Sequence, residues 1–168
     1  TALGWIPESW KIVKISKVVK IANGQVDPRK VEYKELILIA PNHIESGTGR
    51  ITYEETAKEQ QAISGKYLVQ EGEIIYSKIR PYLKKATIAN KNCLCSADMY
   101  PIKGVNVINS YLLLILLSER FTQFAISNSG RTGIPKINRN DLLNYRFPLP
   151  PLPEQRRIAA ILATWDRA

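Results

Sequence analysis

The sequence predicts an α+β fold: a twisted β-sheet core with packed helices, followed by one further helix at the C-terminal end. Three observations carry that prediction. Short β-branched runs punctuated by glycine and proline recur between Lys11 and Cys95, as strands and turns require. One apolar segment, Asn106 to Asn128, has the length and composition of a core helix. A proline ramp, Pro148-Leu149-Pro150-Pro151-Leu152-Pro153, then stops one structure and starts another.

Taken in order, Gly4 to Trp10 reads as a turn with two large aromatics, and Trp5 and Trp10 are expected to anchor the N-terminal segment on the core. Lys11 to Val19 reads as strand or a short amphipathic element. Gly24 to Pro28 is a turn, and Glu35 to Ala40 a buried strand. Ser46-Gly47-Thr48-Gly49-Arg50 is a loop by composition. It lacks the Lys-Ser/Thr ending and the following helix of a phosphate-cradling loop, so no nucleotide site is expected there. Thr56 to Ser64 is polar and weakly helical. Gly72 marks a turn, Ile74 to Lys78 a strand, Arg80 to Lys85 a basic loop holding Tyr82, and Ala86 to Ala89 the returning strand. Cys93 and Cys95 alternate on a further strand and are expected on opposite faces, reduced and unbridged.

Asn106 to Asn128 reads as one helix, with Asn109 or Ser110 near its start and Gly130 beyond its end. Its centre, Leu112 to Leu117, is apolar on all sides and belongs inside the core. Phe121 and Phe124 read as packing residues. Asn138 is placed to cap a short turn through Leu142 and Leu143 before Tyr145-Arg146-Phe147. Nothing helical fits before Leu152; Pro153 then suits a first helical turn, and Glu154 the positive end of the helix dipole. Ile158, Ile161, Leu162 and Trp165 follow at i, i+3, i+4 and i+7, which makes one apolar stripe fit for a helix–helix interface. The expected organisation is one domain over residues 1–151 and a helix over 152–168.

The bulk composition narrows the function. At 168 residues and 45% hydrophobic, the chain holds one well-buried core and is too short for two ordinary domains. A formal net charge of +9 favours a polyanionic partner, nucleic acid ahead of membrane. The longest apolar run, Tyr111 to Leu117, is too short to span a bilayer, and no secretory signal is visible, so a cytoplasmic location is expected. One histidine, His43, expected on the surface, and two cysteines are too few for a zinc site. Asp98, Asp141 and the glutamates are scattered rather than clustered as a metal-dependent nuclease would need. No Asn-Pro-Pro-Tyr-type motif or glycine-rich cofactor loop suggests a methyltransferase. Binding, not catalysis, is expected, with no cofactor on this chain.

Two segments combine cations with groups suited to DNA, because phosphates need cations and base edges need bidentate donors. Lys78, Arg80, Tyr82, Lys84 and Lys85 form one, with Lys78 and Arg80 on one face of an extended run by the period of two. Arg131, Thr132 and Lys136 form the other, where Gly130 and Gly133 let the backbone approach another surface. Arg50 is a further candidate. Competing readings are a single-strand or RNA binder stacking bases on Tyr76, Tyr82 and Tyr100, an enzyme with a dispersed carboxylate site, and a helix-mediated scaffold with an incidental basic surface.

Four segments in order resemble the specificity subunit of type I restriction-modification enzymes. Gly4-Trp5-Ile6-Pro7-Glu8-Ser9-Trp10-Lys11 looks like the opening of its target-recognition domains. Glu71-Gly72-Glu73-Ile74-Ile75 looks like their central segment, with Glu73 where Asp is common. Gly130-Arg131-Thr132-Gly133-Ile134-Pro135-Lys136-Ile137 is similar to their glycine-rich loop. Pro148-Leu149-Pro150-Pro151-Leu152-Pro153-Glu154-Gln155-Arg156-Arg157-Ile158-Ala159 resembles the boundary with a conserved, coiled-coil-like helix. The resemblance implies a noncatalytic subunit that reads one half of a bipartite site on double-stranded DNA. It also implies modification and restriction subunits as partners, with S-adenosylmethionine bound by the modification subunit rather than this chain. Family members carry two recognition domains, so this chain is expected to be a fragment or a half-size subunit that dimerises through its C-terminal helix.

Overall fold

The computed structural model describes residues 5–130 and 133–165, and nine short strands and four α-helices lie among them. In chain order the strands are β1 (Lys11–Lys14), β2 (Val19–Ile21), β3 (Leu38–Ile39), β4 (Tyr67–Val69), β5 (Ile74–Ser77), β6 (Ala86–Ile88), β7 (Cys93–Cys95), β8 (Met99–Gly104) and β9 (Arg146–Leu149). The helices are α1 (Asn109–Leu117), α2 (Glu119–Ser127), α3 (Arg139–Asn144) and α4 (Leu152–Trp165). The fold is α+β, with the β core divided among three small sheets. An antiparallel sheet runs β2-β8-β5-β6; a second runs β3-β7-β4, with β3 parallel to β7; and β1 pairs antiparallel with β9.

β5 sits where two cores meet. Its Ile74-Ile75-Tyr76-Ser77 run is buried throughout, the pattern of a strand covered on both faces. Successive side chains leave a strand on opposite sides. Ile74 and Tyr76 join the larger core with Leu112, Leu116, Phe121 and Phe147, while Ile75 joins Ile39, Ile44, Val69 and Met99. The same rule corrects the cysteine expectation. Cys93 and Cys95 are two residues apart, share one face in the second core, and leave Leu94 on the other. Both are free thiols, and burial pushes the Cys93 thiol up to about 12 and raises Cys95 as well.

The single helix expected over Asn106 to Asn128 is two helices broken at Ser118. That residue is extended (φ −65°, ψ 149°), and its hydroxyl accepts the Phe121 N–H at 3.2 Å, capping α2. At the other end Asn109 is a staple: its Oδ1 accepts the Gly104 N–H at 2.8 Å and its Nδ2 donates to the Gly72 carbonyl at 2.6 Å. Phe121 packs edge-on to Tyr76 and Tyr145, with centroids at 5.5 and 4.9 Å.

Other local expectations fare unevenly. Ile74 to Lys78 and Ala86 to Ala89 do pair as a hairpin, Ile74 opposite Ile88. Of Glu35 to Ala40 only Leu38–Ile39 is strand, because Lys30 to Leu36 closes into hydrogen-bonded turns. Thr56 to Ser64 is likewise turn rather than helix, ending in a left-handed Gln61. Trp5 is fully exposed, so it anchors nothing, whereas Trp10 donates from Nε1 to Glu154 Oε2 at 2.7 Å. The proline ramp behaves as read. Pro148 lies in β9, which among the described residues has β1 as its sole strand partner, and α4 begins at Leu152 with Pro153 in its first turn.

Candidate nucleic-acid interface

Three segments chosen separately from the sequence lie side by side. The Arg80 N–H donates to the Pro135 carbonyl at 2.8 Å, the Ile137 N–H donates to the Lys78 carbonyl at 2.9 Å, and Ile79 bridges to Lys136. These bonds fasten the basic loop to the glycine-rich loop. On its other side the Gly47 N–H donates to the Lys84 carbonyl at 3.1 Å, bringing in the loop that carries Arg50. Gly49 takes φ +74°, and a Cβ there would stand 2.9 Å from the Ala86 carbonyl oxygen, so this approach requires glycine.

The candidate side chains are not equivalent. Arg80 (φ 48°) and Lys84 (φ 48°) bracket a short 3-10 turn, Pro81–Leu83, which lifts Tyr82 to 52% exposure. The left-handed backbone at Arg80 ends the extended run, so Lys78 and Arg80 do not present one face together. Arg80 is exposed, while Lys78 is half-buried and donates from Nζ to the Ala97 carbonyl at 2.6 Å. Lys78 also lies 5.3 Å from the Tyr100 ring centroid, and Arg139 lies 5.7 Å from it. Lys84 pairs with Glu119 at 2.6 Å, and Lys85 donates to the Pro41 carbonyl at 2.8 Å. Arg50 grips Glu45 through Nε and Nη2; that pairing, with Thr48 adding a hydrogen bond, holds the Glu45 carboxyl down at about 2. Among the described residues, no ion pair occupies Arg80 or Lys136. Arg131 and Thr132 lie outside the described residues.

Tyr76 and Tyr100 are 2% and 7% exposed, so they offer no stacking platform, and the single-strand reading keeps Tyr82 alone. His43 corrects a second expectation. It is 2% exposed, lies in a 3-10 turn at Pro41–His43, and packs at a tilt of 54° against the Tyr53 ring with centroids 4.3 Å apart. Sequence reasoning also passed over Asn42, whose Nδ2 donates to Tyr53 Oη. The only local signal was Pro-Asn before the lone histidine. On the helix, Ile158 packs against the larger core, while Ile161 and Leu162 are 57% and 40% exposed. The Trp165 side chain lies outside the described residues. Among the described residues no three His, Cys, Asp or Glu side chains group as a metal site would require, and no helix is long and apolar enough to cross a membrane.

Residues 7–168 match the family model for the type I restriction modification DNA specificity domain. Over 153 residues the chain is 43% identical to the type I restriction enzyme EcoDI specificity subunit of Escherichia coli, covering 91% of this chain and 34% of that protein. It is 26% identical over 169 residues to the type I restriction enzyme MjaVIII specificity subunit of Methanocaldococcus jannaschii, covering 96% and 37%. The chain thus spans little more than a third of the curated relatives it matches. The solved HsdS subunit from Thermoanaerobacter tengcongensis shares the fold, with a TM-score of 0.78 and 24% identity over 95% of this chain and 42% of that one.

Proposed function

Since the chain belongs to the type I restriction modification DNA specificity domain family, we propose that it reads one half of a bipartite site on double-stranded DNA. The observation that carries the reading is the adjacency of three loops that bear cations, fastened by the Arg80–Pro135 and Gly47–Lys84 hydrogen bonds. Phosphate contacts fix register on a duplex and base-edge contacts supply specificity. Arg80 and Lys136 are the cations best placed for either task, because neither must first abandon a carboxylate. Lys84 and Arg50, held by Glu119 and Glu45, shape the loops around them.

In this reading residues 1–151 recognise DNA and residues 152–168 begin a spacer helix. Leu152 and Leu162, 46% and 40% exposed, are apolar surface on that helix for a second recognition unit or a second copy. The chain is noncatalytic, acts in the cytoplasm, and docks modification and restriction subunits. S-adenosylmethionine is bound by the modification subunit. The scaffold reading shares the helix and differs in treating the basic face as idle.

Titration of a labelled duplex across a salt series separates the two. Roughly five phosphate contacts give a slope of about −4.5 in log K against log salt. A slope near zero would leave the scaffold reading.

A further inference from the structure

Beside Arg80 lies a cavity of about 250 Å³ lined in part by Pro41, Asn42, Ile79, Arg80, Leu83 and Lys85. From its chemistry we infer that Asn42 is a specificity-determining residue that reads an adenine in an A·T pair; this rests on the DNA-recognition reading above and names a residue for it.

The turn that carries Asn42 is fixed on several sides. Lys85 Nζ donates to the Pro41 carbonyl at 2.8 Å. The Ala40 N–H donates to His43 Nδ1 at 3.4 Å, and the His43 carbonyl accepts both the N–H and the hydroxyl of Thr52, at 2.8 and 3.1 Å. Asn42 itself is exposed. A reading side chain held on a fixed turn loses little freedom on binding, which is what precise recognition needs.

The amide supplies a matched pair of groups. Asn42 Nδ2 spends one hydrogen on Tyr53 Oη, which leaves one N–H donor and the Oδ1 acceptor. Adenine presents an N7 acceptor and an N6 donor in the major groove, and an asparagine amide meets both at once. A phosphate takes donors alone and has no use for Oδ1. Pro41, Ile79 and Leu83 give the cavity apolar surface suited to the methyl group of the paired thymine. Lys85 is engaged with Pro41 and acts as a support.

The test uses the chain together with its modification subunit and a duplex carrying a site selected from a randomised pool, with each base pair replaced in turn. Wild type is expected to lose about tenfold or more in affinity when one A·T pair is replaced. Asn42→Ala is expected to bind the intact site about tenfold more weakly and to lose discrimination at that pair alone. Tyr53→Phe keeps the ring against His43, drops the hydroxyl that orients Asn42, and is expected to show a smaller loss at the same pair. Unaltered discrimination in both variants overturns the assignment. So does a uniform loss at every position, the mark of a contact that carries no sequence information. Wild type without preference at any position overturns the DNA-recognition reading, and this inference with it.

Discussion

Gln155 bonds the entry of the C-terminal helix to the entry of α1. Its Oε1 accepts the Ile108 N–H at 2.9 Å, and its Nε2 donates to the Pro150 carbonyl at 2.8 Å. The side chain is 1% exposed and satisfied at both ends. With Trp10 holding Glu154, two adjacent residues of the Pro-Glu-Gln segment tie α4 to the core and to the N-terminal turn.

Gln155→Leu keeps the volume and removes both bonds, stranding a backbone donor and a backbone acceptor. The expected cost is about 1–3 kcal/mol in urea unfolding, with an unchanged denaturant slope. Duplex affinity measured on the folded fraction is expected to stay at the wild-type value, because Gln155 touches none of the three basic loops.

Gly49→Ala strains a left-handed backbone and presses a methyl on the Ala86 carbonyl oxygen. A loss of about 1–3 kcal/mol in thermal or urea unfolding is expected. Gly47→Ala, also at positive φ but with open space around it, is expected to cost less. Equal costs would show that the close approach at Gly49 carries no weight.

Arg80→Ala is expected to weaken cognate duplex binding by about 1–3 kcal/mol, with no change in stability. Arg50→Ala and Lys84→Ala are expected to do less, because each side chain already holds a carboxylate. Fluorescence anisotropy with a fixed duplex ranks the three.

Burial holds the His43 pKa below its ordinary value of 6.5, against the opposing pull of Glu55. The unfolded chain therefore takes up a proton more readily than the folded one, and stability falls as pH drops below about 6.5. The lost contribution is complete once pH passes below the folded pKa. Urea midpoints at pH 7.5 and 5.5 are expected to differ in wild type and to converge in His43→Gln. The Glu45 titration, held near 2, lies below this window.

What the sequence made legible was local. Gly72 and the Ile74 run defined the β5–β6 hairpin, and the prolines fixed the start of α4, because both signals act within a few residues. The break at Ser118 had a local signal too, a serine followed by Glu119, overridden in the reading by the apolar run before it. The pairing of β1 with β9 and the two-residue strand Leu38–Ile39 had none, since both are set by partners distant in the chain. The candidate loops were found by composition alone. Their ranking was not, because a lysine sequestered by Glu119 or by the Pro41 carbonyl reads the same in sequence as a free one.

The most direct test of the central claim is selection from a randomised duplex pool by this chain, with and without a matching modification subunit. Enrichment of one short asymmetric motif, lost or weakened by Arg80→Ala, is expected. Salt-sensitive binding with no motif, or no binding even with the modification subunit present, would contradict it.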